Sequence, residues 1–155
     1  MTTMRQRRSQ SMRGLTLLEV LIVVTVVGLL IAVAIPTYQD SRNKANISAA
    51  KKDILEYSVA LEKYFLVRHR YPTSLDELGP VRTDPWGTPY QYLSMEGATT
   101  GQKRKDKSLN PLNSDFDLYS NGPDKASQKP LTAAASRDDI VRANNGGFIG
   151  VAQDF

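Results

Sequence analysis

Two groups of residues in this 155-residue chain have types and spacings that could do chemistry. The first is a single glutamate, Glu19, near the start of the run LTLLEVLIVVTVVGLLIAVAI at positions 15–35. A carboxylate among apolar side chains is costly unless an opposite charge meets it, so it points to a function. Its plainer reading is a side chain close to an interface that reaches back to water. The second group is Asp124 with Asp138 and Asp139. Hard cations take several oxygens, and a loop that returned Asp138 and Asp139 to Asp124 would gather some of them. Aspartates in loops also serve as turn and helix-cap residues, so spacing leaves both readings open.

Little else is arranged for catalysis. His69 is the only histidine and lies between Arg68 and Arg70, with no nucleophile motif beside it. The chain has no cysteine, so it has neither a thiol nucleophile nor a disulfide. No G-x-S-x-G, P-loop or H-E-x-x-H pattern occurs. The expectation is therefore a protein that is not an enzyme, with no catalytic residues.

The formal net charge is +4, and the first 14 residues account for it with Arg5, Arg7, Arg8 and Arg13 and no acid. The rest of the chain is balanced, which argues against a nucleic-acid partner. Lys103, Arg104, Lys105 and Lys107 form a charge run without interleaved aromatics, which reads as a solvated loop.

The elements that would position these groups follow from hydrophobic patterning. As a helix, 21 residues span ~32 Å, about one hydrocarbon core, so 15–36 reads as a membrane-crossing segment. The arginines before it predict a cytoplasmic N-terminus. A cleaved secretory signal would have a shorter apolar run closed by a small-residue A-x-A site, and none closes this run before Pro36. Gly28 and Pro36 lower helix stability, and Pro36 removes one backbone hydrogen bond. From Tyr38 to about Val67, Ile47, Ala50, Ile54, Tyr57, Leu61 and Tyr64 recur at three- and four-residue intervals. That spacing makes one apolar stripe, predicted to pack on a sheet.

Tyr71-Pro72 is expected to end this helix. Ser74 and Glu77 have capping-box spacing for a short helix stopped by Gly79-Pro80. Asp84-Pro85-Trp86-Gly87-Thr88-Pro89-Tyr90 reads as a tight turn clamped by a buried tryptophan. Tyr90–Leu93 and Phe116–Ser120 read as strands, with a polar loop at 97–114 between them. Phe148, Ile149, Val151 and Phe155 would let the C-terminal tail pack back onto the domain.

Arg13-Gly14-Leu15-Thr16-Leu17-Leu18-Glu19 followed by an apolar helix resembles the prepilin motif of type IV pilins and type II secretion pseudopilins. The resemblance implies cleavage by a prepilin peptidase between Gly14 and Leu15 and N-methylation of Leu15. It also implies a role for Glu19 in assembly, neutralising the new α-amino group of a neighbouring subunit. Leu15 stands where the family usually has phenylalanine. "DPWGTPY" resembles a signature of the major pseudopilin of type II secretion, and "DFDLYSNGPD" followed by "DDI" resembles its C-terminal calcium loop. Carried over, Asp124, Asp138 and Asp139 would give side-chain oxygens to calcium, and Asn121 and Ala126 backbone carbonyls. Lys125 replaces a common glycine, and KASQKPLTAAASR is longer than the family's connection.

The resemblance implies an α+β, pilin-like fold: a long N-terminal helix, half transmembrane and half amphipathic, on a small antiparallel β-sheet. Residues 1–14 would be the leader peptide, 15–36 the transmembrane and assembly helix, and 37–155 the periplasmic domain. The implied protein is a single-pass inner-membrane subunit that assembles into a periplasmic filament. Its partners would be further copies of itself, minor pseudopilins and an inner-membrane assembly platform. The alternative is a type IV pilus subunit. Many of those clamp the C-terminal region with a disulfide, which this chain cannot form.

Overall fold

The structure is a computed structural model and describes residues 14–155. Apart from Gly14, the leader lies outside the described residues. The chain divides into two compact units, Met1–Ser41 and Arg42–Phe155. Helix α1, Leu17–Arg68, begins in the first and ends in the second.

In the first unit, the helix runs through Pro36. Leu17 to Ile35 are exposed on every face of the helix. A helix that is apolar all round needs lipid or other helices around it. The hydroxyls of Thr25 and Thr37 donate to the carbonyls four residues back, Leu21 at 2.6 Å and Val33 at 3.0 Å. Their polarity is thereby satisfied within the helix itself.

In the second unit, four strands form one antiparallel meander in the order β1-β2-β3-β4. They are β1 Gln91–Ser94, β2 Phe116–Ser120, β3 Ile140–Ala143 and β4 Phe148–Val151. The predicted stripe on α1 is the face that meets the sheet. Ala50, Ile54, Tyr57 and Leu61 are buried with Leu75, Tyr90, Phe116, Leu118 and Ile140, while Ile47 packs at the margin. Leu112, Leu131, Val141, Ala143 and Ala152 form a second buried cluster, joined by Tyr119, Phe148 and Phe155. Strand side chains alternate between faces, so the pairing of Tyr119 with Val141 puts these two on the face away from α1. The tail does pack back: Phe148 pairs with Ala143, and its ring lies 5.2 Å from that of Phe155.

Three local expectations are corrected. The helix ends at Arg68, before Tyr71, because His69 turns into the left-handed region (φ 56°) while its N–H still reaches the Phe65 carbonyl at 2.7 Å. Leu75–Leu78 is a 3-10 turn in which Glu77 accepts from the Thr73 N–H and hydroxyl, and the Ser74 hydroxyl donates to Asp76. The loop 97–114 is not wholly solvated: Arg104, Leu112 and Asn113 are buried under it. It covers the outer face of β2, which is why Asp117 is buried although strand alternation turns it away from α1.

Candidate functional site

At the N-terminus, Gly14, Leu15 and Thr16 lie outside the helix. The Thr16 hydroxyl accepts the Glu19 N–H at 3.2 Å, and the Thr16 carbonyl accepts the Val20 N–H at 3.2 Å. Thr16 is therefore the N-cap and satisfies one of the orphan donors of the first turn. The Thr-x-x-Glu spacing of a capping box is the sequence signal that locates this start. Two consequences follow for the predicted processing residues. The Gly14–Leu15 bond lies in exposed chain before the helix, and Glu19 lies in the first helical turn with its own N–H capped.

The second candidate site is the loop between β2 and β3. Its base is the turn 84–90. Asp84, which is buried, accepts the N–H groups of Trp86 at 3.0 Å and Thr88 at 2.8 Å through Oδ1. Asp84 Oδ2 accepts the Ser120 hydroxyl, and Ser120 Oγ in turn accepts the Gly122 N–H at 3.1 Å. Gly122 has φ +66° and passes so close to Asp138 that a Cβ would strike the Asp138 carbonyl. Tyr90, after the turn, donates to Asp53 of α1 at 2.8 Å, and Arg82, before it, reaches Asp53 at 3.1 Å and Glu56 at 2.9 Å. The DPWGTPY segment is thus a bracket between α1, β2 and the C-terminal loop.

The predicted calcium ligands divide into two places. Asp124 and Asp138 meet at the surface, where the Asp124 N–H donates to Asp138 Oδ2 at 3.2 Å. Asp124 Oδ1 accepts the Ala126 N–H at 2.8 Å, closing a local turn. Asn121 donates through its amide to the Lys125 carbonyl at 3.3 Å. Asp139 turns the other way and is fully buried. Its Oδ2 accepts from Arg104 Nη2 at 2.7 Å and from the Ser127 hydroxyl at 2.6 Å. Burial pushes the Asp139 carboxyl up to about 6, against the pull of Arg104 and Ser127.

As folded, this set does not fit a calcium ion. Calcium takes about 6–8 oxygens. Among the described residues no three acidic or histidine side chains converge closely enough to share a metal. The buried oxygens left without a partner among the described residues are Asn121 Oδ1 and Asp139 Oδ1, the latter on a carboxylate already paired with a guanidinium. Arg104 is a functional residue that the sequence does not single out, because nothing local sets it apart from its basic neighbours.

A long N-terminal apolar helix whose second half packs on a four-stranded antiparallel sheet defines a pilin-like protein. No protein-family profile matches the chain. It is 32% identical over 141 residues to the type II secretion system core protein G of Pseudomonas aeruginosa, covering 77% of this chain and 87% of that protein. It is 36% identical over 111 residues to the core protein G of Aeromonas hydrophila, covering 57% and 76%. With the core protein G of Klebsiella pneumoniae it shares 30% identity over 135 residues, 84% of this chain and 94% of that one. The chain belongs to the type II secretion system core protein G family, the pseudopilins of type II secretion.

Proposed function

We propose that this chain is the principal building unit of a type II secretion pseudopilus, a filament that drives or scaffolds protein export. Residues 15–36 hold the precursor in the inner membrane, with the N-terminus in the cytoplasm and residues 37–155 in the periplasm. A prepilin peptidase cuts between Gly14 and Leu15, and the new N-terminus is methylated. The subunit then leaves the lipid, and the apolar surface from Leu17 to Ile35 is covered by the same surface of other copies. Minor pseudopilins and an inner-membrane assembly platform take part in that transfer. The work is assembly rather than catalysis, and it needs no nucleic acid.

One observation carries this reading: Glu19 stands in the first turn of α1 as the one charged residue of Leu17–Ile35, which is exposed on every side. In lipid or in a helix bundle that carboxylate needs a cation, because an unpaired buried charge costs several kcal/mol. Cleavage after Gly14 creates one, an α-amino group with an ordinary pKa near ~8. Its own helix carries Glu19 beside it in every copy, so the pair can form between neighbours and set their axial register. Membership of the core protein G family favours the secretion filament over the pilus-subunit alternative.

The test is Glu19→Val in the full chain. It should insert in the membrane and be cut at Gly14 as wild type is, yet give few cross-linked multimers and little export. Filaments of normal yield from this variant would remove Glu19 from the mechanism. Mass spectrometry of the mature wild-type chain should begin at Leu15 with one added methyl group. Deleting the secretion machinery, and separately any pilus machinery, tells which of the two the subunit serves.

A further inference from the structure

We propose that the Arg104 guanidinium is the built-in cation that closes the C-terminal loop of this chain, so that the loop orders without a divalent metal. This goes beyond the filament reading and does not depend on it.

Arg104 is one of four cations in a five-residue run, and its side chain is 3% exposed. Its backbone is fixed on both sides. Its N–H donates to Asp117 Oδ2 at 2.7 Å, and its carbonyl accepts the Leu112 N–H at 3.0 Å. The adjacent Lys105 bonds through its backbone to Lys129 and Leu131, both at 3.0 Å. From that anchored position the guanidinium lies 4.1 Å over the Tyr119 ring. Nη2 donates to Asp139 and Nη1 donates to the Ser127 hydroxyl at 2.6 Å. Ser127 donates on to the same Asp139 oxygen, which closes a three-membered ring of contacts. One cation therefore joins the 97–114 loop, the outer face of β2, the 121–139 loop and the residue that precedes β3.

These are the segments that an ion at Asp139 would join. A doubly charged ion there would lie within a few ångströms of a fixed guanidinium shielded from water, where like charges repel strongly. The guanidinium brings planar donors that match carboxylate and hydroxyl acceptors and stacks on an aromatic face. The ion would also have to draw Asp138 from the Asp124 N–H and Asp124 from the Ala126 N–H. Asp124 and Asp138 are instead turn residues that brace the loop locally.

The experiment uses the full chain in detergent, stripped with chelator and then given calcium, magnesium or neither. A metal that binds only the folded state must raise Tm. Expected is a wild-type Tm that moves by less than about 1 °C among the three conditions. Asp124→Ala should not change that indifference. Arg104→Gln should lower Tm by roughly 10 °C or more, as expected for a buried ion pair left with one partner. It should also open the 121–139 loop to trypsin at Lys125 and Arg137. If Arg104→Gln does not fold, Arg104→Lys, which keeps the charge but not the fork, should show the same loop cleavage in milder form. A calcium-specific rise in wild-type Tm that Asp124→Ala abolishes would overturn the proposal. So would an Arg104→Gln chain with wild-type Tm and an intact loop.

Discussion

Asp84 and Ser120 meet side chain to side chain inside the domain, 36 residues apart, with Ser120 Oγ donating to Asp84 Oδ2 at 2.5 Å. The contact fastens the turn before β1 to the last residue of β2, and through the Gly122 N–H it reaches the start of the C-terminal loop. Asp84 thus serves three donors from one buried carboxylate: Trp86, Thr88 and Ser120.

Asp84→Ala should cost about 3 kcal/mol, because it strands the buried Ser120 hydroxyl and two half-buried N–H groups at once. Ser120→Ala should cost about 2 kcal/mol, because it leaves a buried carboxylate oxygen and the Gly122 N–H without their partner. The two losses should not add: the double variant should fall short of their sum by about 0.5 kcal/mol or more, as contacting partners do. Urea denaturation of the four chains measures this. Strict additivity would mean that the turn and the strand end are not coupled.

His69→Gly should stabilise the protein by up to about 1 kcal/mol, because a non-glycine residue in the left-handed region is strained and glycine is not. The position is the residue after the helix end, where glycine is favoured. Thermal melting reads the change as a rise of a few degrees. A clear fall in Tm would show that the imidazole makes a contact worth more than the strain.

Glu77 gives the domain an acid-sensitive contact. The Tyr64 hydroxyl first, then the Thr73 N–H and hydroxyl, hold its carboxyl down to about 2 from an ordinary 4.5. A depressed carboxylate contributes stability that is complete above its unfolded pKa and is lost as pH falls through the folded one. The Tm gap between wild type and Glu77→Gln should therefore be constant from pH 7 to about 5, narrow below 4.5 and close near 2. A gap that stayed constant down to pH 2.5 would contradict the assignment. The partners Tyr64 and Glu77 tie the end of α1 to the turn at 75–78, so this loss would loosen that corner first.

The parts of this protein that rest on local pattern were legible in its sequence. The apolar run, its lone Glu19 and the stripe Ala50, Ile54, Tyr57 and Leu61 follow from composition and helical period, which act within a few turns. Phe116–Ser120 was readable as a strand because its large side chains alternate. A hairpin is legible too: Asn-Asn-Gly-Gly between Ile140–Ala143 and Phe148–Val151 carries the turn signal that joins β3 to β4. Other features were decided only when the chain folded. Lys103, Arg104, Lys105 and Lys107 are locally equivalent, and the one that goes inside is the one opposite Asp117, Tyr119 and Asp139 on the outer face of the sheet. Likewise Asp138 and Asp139 are neighbours in sequence, yet one braces a surface turn and the other is buried on a guanidinium. Charge in a sequence gives the sign of a group and not its partner. The partner is fixed by which faces the strands present and what covers them, and that is a property of the assembled sheet.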